Sequence, residues 1–297
     1  MLFRSDSTLL DCLKDCLNTG FASPVILNNK LSFTKLHERG INEPLTQIFT
    51  PQNLISSPKI IFNLPKDDDV DEVVVNYTSP ETYKTETLFC HVDSSDDAYY
   101  TAYPLSVYQE KLKAFGVTSE IQAKAMGMRR LRYLRSTRVT YEIQTEYDGL
   151  NCQFNDLVGL VLDENLSNVT GRVISYDSSS LTVQTDVEIK RDRSSGIIYI
   201  RKLDGSCEEY TFSRVDSHHL TIDRDLPPWN DEFGVSLEYP FFAIGEMVVC
   251  WVVSVTPQDK TCTLKLINYS ADVFTDDLRT NSGYGILPYG LAPYGIY

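Results

Sequence analysis

Along residues 7–18 the apolar side chains of Leu9, Leu10, Cys12, Leu13, Cys16 and Leu17 recur every three or four positions, the spacing of one helix face. A short amphipathic helix is predicted there, with Ser7 as its N-cap and Gly20 as its C-terminal stop. The period then changes to two. SPVILNNKLSFTKL (residues 23–36) predicts a hairpin turning at Asn28 and Asn29, a residue type that tolerates left-handed backbone. Further strands are predicted from the apolar runs within residues 48–65, from VVVNYT (73–78) and from ETLFCHV (86–92). The polar, Tyr-rich residues 94–104 read as a loop.

The strongest helical pattern lies in residues 118–135. Thr118 and Ser119 are candidate caps, and Ile121, Ala125, Met128, Leu131 and Leu134 recur at helical steps. That apolar face is expected to pack on a sheet. The end of the helix is basic, with Arg129, Arg130, Arg132, Arg135 and then Arg138, which suits the negative pole of the helix dipole. A long strand over residues 138–150 follows, alternating Val139, Tyr141, Ile143, Thr145 and Tyr147 with polar residues.

From about residue 154 to 267 the pattern becomes short strands separated by turns, including the apolar stretch FFAIGEMVVCWVV (241–253), and this predicts a small β-barrel or sandwich. The fold class is therefore mainly β with minor α (α+β). Three parts are expected: an α+β domain over residues 1–151, a small barrel or sandwich over 152–275, and an extended tail over 276–297. In the tail, Tyr284, Tyr289 and Tyr294 stand five apart, each followed by Gly, with Pro288 and Pro293 before the last two.

Composition agrees with a folded chain. The 297 residues are 42% hydrophobic and 11% aromatic, enough for a sizeable core. Charges at Arg4, Asp6, Asp11 and Lys14 interrupt the apolar segment that a secretory signal requires. No window approaches the roughly 18 apolar residues of a membrane helix, so no membrane insertion is expected. The seven cysteines (Cys12, Cys16, Cys90, Cys152, Cys207, Cys250, Cys262) are odd in number and widely spaced, and read as free buried thiols. A formal net charge of -14 favours solubility and repels nucleic acid at long range.

Candidate chemistry is sparse. Asp67, Asp68, Asp69 and Asp71 form a charge run without the glycine and distal Glu of a calcium loop, and read as a solvated turn. His218 and His219 are adjacent in a predicted strand, so their side chains diverge. His37, His91, Cys12 and Cys16 lack partners at zinc-ligand spacing. No phosphate-cradling glycine loop, serine elbow or kinase signature is present. Neither metal nor cofactor is expected, and no enzymatic activity. The run MRRLRYLRSTR (128–138) could contact phosphates. In so acidic a chain, Arg pairing with carboxylates of the same or a neighbouring subunit is the favoured reading, and no sequence-specific nucleic-acid binding is expected.

Three segments resemble the tip attachment (host-specificity) protein J family and its siphophage tail hub relatives. They are residues 48–90, with their strand, Asp-rich turn, strand order; residues 116–163, GVTSEIQAKAMGMRRLRYLRSTRVTYEIQTEYDGLNCQFNDLVGLVLD, the most specific; and INYSADVFTDD (267–277) with the Tyr-Gly tail. The resemblance implies a structural subunit of a long-tailed phage tail tip, made in the host cytoplasm and residing in the virion. It also implies a homotrimer, joining tail tube to tip beside tail tube, tail tip and tape-measure proteins and a separate fibre or receptor-binding protein. At 297 residues the chain is expected to be a shortened form of the family, without the receptor-binding C-terminal part. A subunit interface is expected at Arg129, Arg130, Arg132, Arg135, Arg138, Tyr284, Tyr289 and Tyr294, with the tail strapping a neighbour. The alternative function is a carbohydrate- or receptor-binding module that stacks exposed Tyr and Trp229 on sugars.

Overall fold

The structure is a computed structural model that describes residues 8–27, 30–40, 43–92, 98–101, 107–162, 168–202, 205–227, 239–275 and 277. In chain order the elements are α1 (Leu9–Asn18), β1 (Ala22–Leu27), β2 (Lys30–Lys35), β3 (Gln47–Phe49), β4 (Lys59–Phe62), β5 (Glu72–Thr78), β6 (Thr85–Val92), β7 (Ala98–Thr101), β8 (Gln109–Lys113), α2 (Glu120–Ser136) and β9 (Val139–Thr145). After a 3-10 turn (Tyr147–Asn151) come β10 (Leu157–Leu160), β11 (Val169–Asp177), β12 (Thr182–Thr185), β13 (Ser195–Arg201), β14 (Cys207–Arg214), β15 (His219–Ile222), β16 (Phe241–Ile244), β17 (Val248–Pro257) and β18 (Cys262–Asn268), then a second 3-10 turn (Ala271–Phe274). Among the described residues the class is mostly β with two α-helices, as the periodicity predicts.

The chain forms two compact units: Met1–Glu38, Asn63–Arg138 and Ser270–Tyr297 make the first, Arg39–Phe62 and Val139–Tyr269 the second. This division departs from the sequence boundary at 151/152. The cause is long-range strand pairing: β9 pairs with β18 from Cys262↔Thr145 to Ile267↔Thr140, and β4 pairs with β9, so both segments belong with the later strands.

In the first unit, a four-stranded sheet of order β7-β6-β5-β8 carries α2 on one side. β5 and β6 are antiparallel, β5 and β8 parallel. Val73, Val75, Leu88 and Cys90 meet Ala123, Met126, Met128 and Leu131 in one apolar cluster. Ser119 caps α2, its side chain accepting from the Gln122 N–H. Of the predicted face, Ala125, Met128 and Leu131 are buried, but Ile121 is half exposed at 50%. It lies in the first turn, ahead of the stretch that rests on the strands. Residues 98–101, expected in a loop, instead form β7 along β6; backbone pairing outweighs a polar, Tyr-rich sequence there.

Helix and sheet approach most closely at Gly127. A Cβ at this position would strike Cys90 Sγ and lie 2.6 Å from Val75 Cγ2. Gly127→Ala is therefore expected to lower stability by about 1–2 kcal/mol, because overpacking outweighs the roughly 1 kcal/mol helix-propensity gain. Urea unfolding of the variant checks this.

α1 is closed by a capping box: the Asp11 N–H donates to Thr8 Oγ1 (3.2 Å), and the Thr8 N–H to Asp11 Oδ2 (3.3 Å). Thr8 is thus the N-cap in place of Ser7, which lies outside the described residues. Thr8 is followed three positions later by a carboxylate that can return the bond. At the other end Thr19, not Gly20, is the C-cap. β1 and β2 form the predicted hairpin, from Ala22↔Lys35 to Leu27↔Lys30, with Asn28 and Asn29 outside the described residues.

In the second unit, β11-β12-β15-β14-β13-β16 close into a barrel. Val173, Val183, Ile198, Tyr210, Phe212, Leu220 and Phe242 fill it. A register shift between Val173 and Ser175 marks a bulge in β11, the kind of feature that lets a sheet bend into closure. The barrel is shorter than the predicted range: β10, β17 and β18 join β3, β9 and β4 in a six-stranded sheet of order β3-β10-β17-β18-β9-β4. Ile143, Val158, Cys250, Val252, Leu264 and Leu266 form that sheet's core.

Candidate functional site

The predicted basic helix end is ordered by carboxylates of its own unit. Arg130 reaches Glu110 through both ends of its fork (2.9 and 3.3 Å). Arg135 pairs with Asp71 (3.0 Å), and Arg138 with Asp69 (2.7 Å) while also donating to the Arg135 carbonyl (3.0 Å). Arg132 is half-buried. The acidic run read as a solvated turn is therefore partly a set of counter-ions, because β5 starts right after it and runs under α2.

Arg129 differs from the others. Its side chain is only 7% exposed and lies between two rings, with the guanidinium carbon 4.2 Å from the Phe21 centroid and 4.7 Å from that of Phe274. One amino group donates to Asp277 Oδ2 (2.6 Å) and the other to the Leu36 carbonyl. A planar, always-charged fork is the group that can stack on faces and donate in two directions at once. Burial pushes its pKa below the usual arginine range, and the Asp277 carboxylate opposes that shift. Thus α2, the residues flanking the β1–β2 hairpin, and the segment after β18 meet on one side chain.

The Asp69 carboxyl is held below its ordinary value of 3.8, first by the Lys66 backbone N–H and then by Arg138. Because the folded value is depressed, the stabilisation is fully present above the ordinary pKa. It is lost as pH falls through the folded one. Asp69→Asn is expected to flatten the acid limb of stability below about pH 4, measured by thermal unfolding between pH 2 and 7.

In the second unit, Arg201 of β13 binds Asp148 with both amino groups (3.2 and 2.8 Å), Asn53 donates to the same carboxylate (3.3 Å), and the guanidinium carbon lies 5.6 Å from the Phe241 centroid. This node joins the barrel to the 3-10 turn beside β9. Neither it nor Asp277 is signalled locally in the sequence, since the partners lie 53 and 148 positions away.

Other candidate groups are held structurally. The Cys152, Cys207 and Cys250 thiols are pushed up to about 12, chiefly by burial, which leaves almost no thiolate near neutral pH. None of the seven cysteines is in a disulfide; Cys90, Cys152, Cys207, Cys250 and Cys262 are buried as expected, whereas Cys12 and Cys16 on α1 are only half-buried. His219 Nδ1 lies 2.8 Å from Asp216 Oδ2, and His218 Nδ1 3.2 Å from the Thr185 carbonyl, so the two rings have separate partners. Among the described residues no group of three or more His, Cys, Asp or Glu is placed to hold a metal ion. Among the described residues, no helix is long and apolar enough to cross a membrane. Tyr284, Tyr289, Tyr294 and Trp229 lie outside the described residues.

No protein-family model and no curated protein matches the chain. Among solved structures it is similar to a chain in the virion of a native gene transfer agent particle, at 11% identity and TM-score 0.34 over 80% of this chain. It is also similar to the tail protein from Neisseria meningitidis MC58, at 12% identity and TM-score 0.36 over 75% of this chain. The matches span 34% and 56% of those two chains, less than two thirds of either.

Proposed function

We propose that the chain is a structural subunit of a long-tailed bacteriophage tail, sited in the tail-tip hub, that works by assembly rather than catalysis. The observation that carries this reading is the stretch 116–163, which resembles the tail hub and tip attachment family most specifically. The fold uses that stretch centrally: α2 lies on the first unit's sheet, and β9 lies inside the six-stranded sheet of the second. The neutralised Arg cluster and the inert thiols support a role in which charged groups hold shape rather than turn over a substrate.

On this reading the subunit forms a homotrimer that joins tail tube to tip, next to tape-measure protein and a separate receptor-binding fibre, within the virion. The formal charge of -14 suits a surface along which DNA passes without adhering. Mass spectrometry of purified particles, with antibody labelling in electron microscopy, tests the placement. Label at the tail tip is the expected result; absence from particles would overturn it. Native mass measurement tests the oligomer, with three copies expected and a stable monomer refuting the trimer.

A further inference from the structure

The β1–β2 hairpin wears its apolar face outward. Directly opposed residues share a face, and faces alternate along a strand, so Pro24, Ile26, Leu31 and Phe33 lie together while Ser23, Val25, Ser32 and Thr34 lie on the other side. Ile26 is 77% exposed, Leu31 62% and Phe33 69%, whereas Ser32 and Thr34 are only half-exposed. A two-stranded ribbon is marginally stable alone, and one with its greasy side in water needs a cover.

Position, reach and chemistry indicate which segment covers it. Arg129 binds Asp277 while donating to the carbonyl of Leu36, the residue after β2, and stacking on Phe21, the residue before β1. The chain therefore leaves the described structure at the root of the hairpin. Residues 278–297 follow in the sequence. At roughly 3.3 Å per residue they could reach about 65 Å, several times the roughly 20 Å of a six-residue strand. From residue 280 onward the segment carries no ionisable side chain except Tyr, and it supplies Tyr284, Ile286, Leu287, Tyr289, Leu291, Tyr294, Ile296 and Tyr297. That composition matches an uncharged apolar face.

We propose that residues 283–297 fold back over the outward apolar face of the β1–β2 hairpin of the same chain, with the spaced tyrosines seated against Ile26, Leu31 and Phe33. This assigns a surface and its occupant, and it stands independently of the tail-hub reading.

The test uses full-length protein with the photo-crosslinking residue p-benzoylphenylalanine in place of Tyr289, made as a mixture of 15N-labelled and unlabelled chains. Crosslinked peptides joining the C-terminal segment to residues 22–35 are expected, with both halves carrying the same isotope. Phe33→Asp should lower their yield roughly tenfold, since one buried aromatic is worth at least that factor in occupancy. Deleting residues 283–297 should also speed amide exchange in β1 and β2, a readout that does not depend on any hairpin substitution. Peptides of mixed isotope would overturn the proposal in favour of a second copy as the occupant. It would equally be overturned by crosslinks elsewhere, by a yield indifferent to Phe33→Asp, or by unchanged exchange after the deletion.

Discussion

Arg129→Ala is expected to lower the stability of the first unit by about 3–5 kcal/mol, the usual cost of removing one member of a buried ion pair. The loss has three sources: the Asp277 carboxylate loses the guanidinium it faces, the Leu36 carbonyl loses its donor, and Phe21 and Phe274 face a void. Arg129→Lys should recover little of it, because a point ammonium on a flexible stem cannot stack between two rings and donate both ways. Asp277→Asn should cost less than Arg129→Ala. The double variant should be more stable than the sum of the two losses predicts, since each single change strands the other group. Chemical denaturation of the four proteins measures the cycle. An Arg129→Ala chain as stable as the parent would show that the site does not hold the unit together.

Phe242→Ala should be comparably damaging, about 3–5 kcal/mol, in the second unit. Phe242 is fully buried on β16, the strand that closes the barrel between β11 and β13, opposite Gly171 on one side and Ile200 on the other. Truncation leaves a hole where the closing strand is held by only four residues, and the neighbours cannot collapse inward without breaking closure. Near-UV circular dichroism and amide exchange should show β11, β13 and β16 opening first, while the strands around Val73 and Val75 keep their protection.

Local periodicity was a good guide to single elements and a poor one to their grouping. The helix at α2, the hairpin and most strands of residues 168–268 follow from spacing and caps, since those signals act over a few residues. The closed barrel was likewise legible as a barrel or sandwich. Its membership was not, because β9 and β17 carry the same alternating pattern as barrel strands and differ only in what they pair with. For the candidate site, the basic helix end was visible and pairing with carboxylates was the favoured expectation. The special position of Arg129 was not visible: nothing in MRRLRYLRSTR separates it from Arg130 or Arg132, and burial is decided by Phe21, Leu36 and Asp277, all brought in from elsewhere in the chain.

The path of the chain sets an order on its biosynthesis. The sheet that carries α2 is complete once residue 138 has emerged from the ribosome, yet the acid that neutralises Arg129 is residue 277, translated only after the whole second unit. A chain that stops before this segment lacks both the Asp277 carboxylate and the Phe274 ring, so Arg129 has neither its counter-ion nor half of its cover, in a unit that stays weakened until synthesis passes that point. The ion pair acts as a completeness check: chains that stop short open more readily and are the ones quality-control proteases should remove first.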